Sequence, residues 1–154
     1  MHLEASLHTP ATSQQVLAHV DELDKYPQWM SLVHSAVRVP DAATPTWLVE
    51  LRAKVGPFAR SKRLRMERTI YDVAGLAAAG KVGAGRIVFE RRENDARQHA
   101  EWRLEVIVTT AADNTTNLVM HLHYDGKLFV SVVESILQQN IDAGRSKLAA
   151  LLAQ

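Results

Sequence analysis

The chain has 154 residues, no cysteine and a formal net charge of +1, which fits one ordinary domain and excludes disulfides, thiolate catalysis and thiolate metal ligands. With 47% hydrophobic and 23% charged residues, the composition predicts a single folded domain over residues 1–154 and not a disordered chain. No basic head with an apolar run opens the sequence, and no apolar run reaches the roughly 20 residues of a membrane-spanning helix. We therefore expect a cytoplasmic protein.

The first elements change from strand to helix periodicity. Residues 2–8 alternate between apolar and polar side chains, which is the period of two of a half-buried strand. From Thr12 the apolar residues recur at helical spacing, with Thr12 or Ser13 available as the N-cap. Pro27 interrupts this pattern, so we expect a second short helix at about 26–32 that meets the first at an angle.

About six further strands are predicted before the C-terminal segment. Their ranges are 35–39, 47–55, 61–73, 87–90, 102–108 and 118–124. Each has one apolar and one largely polar face, which is typical of an antiparallel sheet covered on one side. The glycine-rich segment 74–85 is interpreted as a loose hairpin end or a loop.

The C-terminal segment predicts the longest element. Residues 126–154 carry a helical stripe of apolar side chains, and Gly144 within it indicates either a kink or a close contact. Because no other element is long enough to cover the apolar face of the sheet, the sheet should curl around this helix. The predicted class is α+β: a curved antiparallel sheet of about seven strands around a long C-terminal helix, with two short helices after the first strand.

Several features together resemble a known superfamily. They are the element order, the segment "YPQWMSLV" at 26–33, the basic strand that follows "VGPFARSKRLRM" at 55–66, and the amphipathic terminal helix. Over essentially the whole chain they are similar to the START-like (SRPBCC, polyketide cyclase/dehydrase) superfamily with its helix-grip fold, and in particular to small bacterial members related to the G-type subunit of carbon monoxide dehydrogenase. The resemblance implies a cavity between the sheet and the long helix that holds an apolar molecule, such as a lipid, an isoprenoid quinone or a polyketide-like compound.

The predicted lining of this cavity consists mainly of inward-facing apolar residues. They are Trp29, Trp47, Leu51, Leu64, Met66, Arg68, Phe89, Trp102, Leu104, Met120, Tyr124, Phe129, Val133, Ile136 and Leu137. Arg68 belongs to this set by strand parity, and a buried guanidinium needs an acceptor. We expect that acceptor to be either a ligand oxygen or an atom of the protein, unless a bulge turns Arg68 to solvent.

The remaining titratable residues do not predict a catalytic centre. His121 and His123 lie on the polar face of their strand, and in the family arrangement His2 and His8 would share that surface. A weak metal site there is conceivable, although exposed polar residues are the simpler interpretation. No carboxylate lies among apolar residues as acid catalysis would require, and no phosphate-binding loop is present. The sequence therefore predicts no catalytic residue, no cofactor and no metal.

A basic window leaves a third possibility beside ligand binding and a cyclase or dehydratase activity. Residues 50–70 hold seven basic and two acidic side chains, a charge of +5. Within it, Arg60, Lys62, Arg63 and Arg65 could dock an acidic protein or an anionic membrane. The window lacks the interleaved aromatic residues that stack on nucleic-acid bases, so nucleic acid is not a predicted partner.

Overall fold

The computed structural model describes residues 1–76, 82–126 and 130–154, and within them seven strands form one antiparallel sheet in the order β1-β7-β6-β5-β4-β3-β2. The strands are β1 (His2–Thr9), β2 (Val33–Arg38), β3 (Thr46–Val55), β4 (Phe58–Asp72), β5 (Gly83–Arg91), β6 (Trp102–Thr110) and β7 (Thr116–Tyr124). The long helix α2 (Val130–Leu152) follows β7 and contacts β1 and β3. The predicted α+β helix-grip architecture is confirmed.

Two short helices connect β1 to β2. The first is α1 (Ser13–Val20) and the second is a 3-10 helix (Leu23–Gln28). Thr12 caps α1 as predicted: its Oγ1 accepts from the Gln15 backbone N–H at 3.2 Å, and Gln15 Oε1 accepts from the Thr12 backbone N–H at 2.8 Å. This reciprocal capping box satisfies the first free N–H groups of the helix.

The corner between these helices lies before Pro27, so the predicted helix at 26–32 is wrong in its bounds. Glu22 is extended, with φ −135° and ψ 134°, and makes the corner. Pro27 lies inside the 3-10 helix. Proline is tolerated there because its fixed φ suits a helical turn, and a helix this short has few interior N–H groups to lose.

The interpretation of residues 74–85 as a loop needs correction at its C-terminal end. Residues 77–81 lie outside the described ranges, but Gly83 already begins β5, and a short 3-10 turn covers Ala74–Leu76. A Cβ atom at Gly85 would lie 2.6 Å from the Leu76 side chain. Glycine at this strand position therefore lets the turn pack directly on β5.

At Gly144, α2 makes a close contact and not merely a local weakness in the helix. A Cβ atom at Gly144 would lie 2.7 Å from Met30 Cε and 3.2 Å from the Trp29 carbonyl oxygen. The "YPQWMSLV" segment thus packs directly against α2, and Ser31 Oγ donates to Asn140 Oδ1 of α2 at 3.3 Å. No helix in the described parts of the chain is long and apolar enough to cross a membrane.

Candidate functional site

A cavity of about 110 Å³ lies between the concave face of the sheet, α2 and the segment around the 3-10 helix. Its wall is almost entirely apolar. Seven of the predicted lining residues border it: Trp29, Leu51, Leu64, Met66, Trp102, Leu104 and Met120. The alternation of apolar residues along β3, β4, β6 and β7 therefore identified much of the wall that these strands supply.

Part of the wall was not predicted, although its sequence signal is the same. Leu3, Ala5 and Leu7 border the cavity from β1, where they form the apolar half of the alternation. From α2, the described part of the wall is formed by Ile141, Arg145 and Leu148. The prediction had placed the contribution of this helix at residues 129–137, one to two turns earlier.

The predicted residues of α2 have other positions. Ile136 is half-buried and Leu137 is buried in the core, and neither borders the cavity. Phe129 lies outside the described residues, as does the side chain of Val133. The cavity lies under the later turns of α2, where it is also walled by β1, the strand on which this helix packs most extensively.

Trp47 and Phe89 are fully buried but lie behind the cavity wall. Both are 0% exposed. Their rings meet edge to face with centroids 5.7 Å apart, and the Arg38 guanidinium lies 4.8 Å from the centroid of the Trp47 ring. The indole Nε1–H of Trp47 donates to Asp24 Oδ1 at 2.7 Å. These two residues stabilise the fold beside the cavity and do not border it.

Arg68 faces inward, as strand parity predicted, but does not border the cavity. Its Nη1 donates to the backbone oxygen of Asp21 at 2.9 Å, and its guanidinium lies 4.1 Å from the centroid of the Tyr71 ring. A bulge shifts the register of β4 against β5 directly after Arg68, between this residue and Ile70. The acceptor of this half-buried cation is therefore an atom of the protein, which is one of the two expected outcomes.

Three side chains together bond the last carbonyls of α1. Tyr26 Oη donates to Val20 O at 2.9 Å and Trp29 Nε1 donates to His19 O at 3.1 Å, in addition to the Arg68 bond to the next carbonyl. The C-terminal carbonyls of a helix have no partner within the helix, so these bonds replace water in the core. Burial raises the pKa of the Tyr26 hydroxyl, with a smaller contribution from the charge of a nearby carboxylate, and keeps it a donor.

The opposite end of the sheet carries different polar groups. Trp102 and Tyr124 face each other across β6 and β7, with ring centroids 4.5 Å apart. Trp102 borders the cavity, whereas Tyr124 is buried against it from outside. The Lys62 Nζ lies 5.8 Å from the centroid of the Tyr124 ring. Burial lowers the pKa of Lys62, and the positive charge of Arg91 lowers it further while Glu93 opposes the shift.

The histidines lie on the convex face. His2 stacks on His121 with ring centroids 5.4 Å apart, and His123 lies 6.4 Å from His2. Carboxylates lie beside two of them: Glu4 Oε2 is 3.4 Å from His121 Nδ1, and Glu101 Oε2 is 3.9 Å from His123 Nε2. Within residues 1–76, 82–126 and 130–154, no group of three or more potential ligands is arranged to hold a metal ion.

The basic side chains of β4 do not share one surface. Lys62 lies opposite Leu51 on the concave face, and Arg60 has the same strand parity. Arg63 and Arg65 point the other way. The Nη1 atom of Arg65 lies 2.8 Å from Glu67 Oε1, so part of the remaining charge is already paired. This separation removes the continuous patch that docking to an acidic partner would use.

A curved antiparallel sheet gripping a C-terminal helix, with an apolar cavity between them, defines the START-like class of folds. Solved structures agree. The human StAR-related lipid transfer protein 5 superposes with a TM-score of 0.73 at 14% identity, over 99% of this chain and 76% of that one. A START superfamily protein from Mycobacterium smegmatis gives 0.68 at 14% identity, over 99% and 97%. The Zhui aromatase/cyclase from Streptomyces sp. R1128 gives 0.64 at 13% identity, over 99% and 93%.

The sequence itself assigns the family. A family model described as polyketide cyclase / dehydrase and lipid transport matches residues 1–153, so the chain belongs to this family. No curated protein sequence matches the chain. The finer resemblance to the carbon monoxide dehydrogenase group stays a prediction. At these low identities the structural neighbours establish the fold, and the ligand has to be argued from the cavity itself.

Proposed function

We propose that the protein binds a hydrophobic small molecule in the cavity between the sheet and α2. The observation that carries the proposal is a void of about 110 Å³ whose wall is almost entirely apolar. Close packing is the rule in protein interiors, so an apolar void of this size is a candidate binding site. An engineered apolar cavity of about 150 Å³ accepts benzene, so the ligand group bound here is one ring or a short alkyl chain.

Catalysis of the cyclase type has less support. Arg68 and Tyr124 are the polar residues that such a reaction was expected to use, and neither borders the cavity. The Arg68 guanidinium is bonded to a backbone carbonyl instead. A group that donates or accepts a proton must reach the reacting atom within hydrogen-bond distance. Their positions therefore favour retention of a ligand over its chemical conversion.

The test is binding of hexan-1-ol, measured by isothermal titration calorimetry and by the shift in Tm. We expect saturable binding and a Tm that rises with the alcohol concentration. The variant Ala5→Leu fills the cavity from β1, where Ala5 is half-buried, and should abolish binding. Ala143→Leu adds the same atoms on an exposed position of α2 and should bind as the wild type does.

Two results would overturn the proposal. One is the absence of hexan-1-ol binding together with no apolar compound retained by the natively purified protein in mass spectrometry. The other is equal binding by Ala5→Leu and the wild type, because a site elsewhere would then be responsible.

A further inference from the structure

Three hydrogen-bond donors or cations meet at the end of the sheet opposite α1. Lys62 on β4 faces inward beside Leu51, a residue of the cavity wall. Trp102 and Tyr124 form an inward-facing pair where β6 starts and β7 ends. Because neighbouring strands are antiparallel, the start of β4, the start of β6 and the end of β7 lie at the same edge of the sheet. These residues therefore form one end of the concave face.

The indole N–H of Trp102 is an unused buried donor. The side chain borders the cavity and is only 6% exposed, yet its Nε1 has no acceptor among the described residues. The other two tryptophans differ: Trp29 donates to His19 O and Trp47 to Asp24 Oδ1. Buried donors in native proteins are nearly always paired, and an exception calls for an explanation such as a missing ligand.

The charge at this end is positive and not locally neutralised. No carboxylate of the described residues lies within ion-pair distance of the Lys62 ammonium group, which instead lies over the face of the Tyr124 ring. The acid whose charge does reach Lys62, Glu93, is already bonded to Arg91 Nε at 2.8 Å and to the Arg65 backbone N–H at 3.1 Å. Burial makes Lys62 harder to keep charged, so an added anion would be stabilised here.

We propose that the end of the cavity formed by Lys62, Trp102 and Tyr124 binds the carboxylate of an apolar carboxylic acid whose hydrocarbon part occupies the cavity. This proposal rests on the proposed function. Lys62 supplies a charge-assisted bond and Trp102 supplies the second donor, so that each carboxylate oxygen has a partner. Arg145 also borders the cavity, but its side chain is exposed and has no unpaired buried donor beside it among the described residues.

The test compares hexanoate with hexan-1-ol, two probes with the same six-carbon chain. By calorimetry at pH 7 we expect the wild type to bind hexanoate about tenfold more tightly than the alcohol. Lys62→Met should remove this preference and leave hexan-1-ol binding unchanged. Lys54→Met, a matched change at an exposed lysine of β3, should retain it. Arg145→Met should also retain it.

Nuclear magnetic resonance supplies a second, positional readout. The chain has three tryptophans and hence three indole N–H signals, two of which already have acceptors in the fold. Hexanoate should move the third signal downfield, and this signal should be missing in Trp102→Phe. The same variant should weaken hexanoate binding about threefold and hexan-1-ol binding little.

The outcomes separate the two proposals. If hexan-1-ol binds and hexanoate binds no better, the carboxylate subsite is refuted and the cavity proposal stands. If hexanoate is preferred but the preference survives Lys62→Met or disappears in Arg145→Met, the carboxylate binds elsewhere and the subsite is likewise refuted. If neither probe binds, both proposals fail.

Discussion

At the end of the sheet that carries α1, the indoles of Trp29 and Trp47 donate to protein oxygens, as do the side chains of Tyr26 and Arg68. At the opposite end the indole of Trp102 has no acceptor in the described residues, and Lys62 lies over an aromatic ring instead of a carboxylate. We call these the α1 end and the Trp102 end. The comparison indicates that polar groups stabilise the fold at the first end and remain available to a ligand at the second.

The largest contrast is expected when one tryptophan from each end is changed to phenylalanine. Trp29→Phe should lower the free energy of unfolding by about 2–3 kcal/mol, because His19 O loses its donor and the smaller ring leaves a void. Trp102→Phe should cost only about 1 kcal/mol, since no hydrogen bond is lost. Urea denaturation of both variants measures the difference. Equal costs would contradict the contrast between the two ends.

The packing of α2 on the α1 end provides the second test. Gly144→Val should lower the free energy of unfolding by about 2 kcal/mol, because a side chain at this position meets Met30 and the Trp29 carbonyl. Ala143→Val makes a similar change at an exposed neighbour and should cost only about 0.5 kcal/mol, through the lower helix propensity of valine. If the two variants lose equal stability in urea denaturation, close packing at Gly144 is not the cause.

Arg68 tests whether the α1 end has a structural role only. Arg68→Met should lower the free energy of unfolding by about 1–2 kcal/mol, because the Asp21 carbonyl loses a charged donor at the C-terminus of α1. Arg63→Met removes a cation whose side chain is 89% exposed and should be nearly neutral. Hexan-1-ol should bind both variants as it binds the wild type; weaker binding by Arg68→Met would assign this residue to the ligand site.

The smallest effect is expected at Lys62, and its sign is opposite. Burial lowers the pKa of Lys62 below its ordinary 10.5, so the charged lysine is less favourable in the folded than in the unfolded chain. Lys62→Met should therefore raise Tm by about 1–2 °C at pH 7.

The pH dependence of this gain follows from the same shift. Between the lowered pKa and 10.5, the unfolded wild type binds more protons than the folded protein, so wild-type stability rises with pH. The advantage of Lys62→Met should accordingly shrink as the pH rises towards 10.5. An advantage that stays constant between pH 7 and pH 10 in thermal melts would show that the ammonium charge is not the cause.

Strand parity could be read from the sequence because side chains alternate rigidly across a sheet. It correctly placed Leu64, Met66 and Trp102 on the concave face, and it correctly turned Arg68 inward. The same rule could not indicate which inward residues border a void, because a filled core shows the same alternation. Trp47 and Phe89 illustrate this limit, since both face inward and both are packed behind the wall.

The "YPQWMSLV" segment shows the same division. Its apolar residues predicted packing under the terminal helix, and the contact of Met30 with Gly144 confirms it. The corner, however, was assigned to Pro27 and lies at Glu22. What the segment does chemically, which is to bond the C-terminal carbonyls of α1 through Tyr26 and Trp29, depends on how α1 is oriented, and local propensity carries no information on that orientation.

The sequence by itself thus determined the order of elements, the faces of the strands, the family resemblance and the covering of the sheet by one long helix. These follow from periodicity, which acts over a few neighbouring residues. Only the tertiary structure decided where the void lies, which acceptor Arg68 uses and which tryptophan has none. Those properties depend on atoms brought together from distant parts of the chain, such as Arg68 and Asp21, or Lys62 and Tyr124, and on how closely the curved sheet approaches α2.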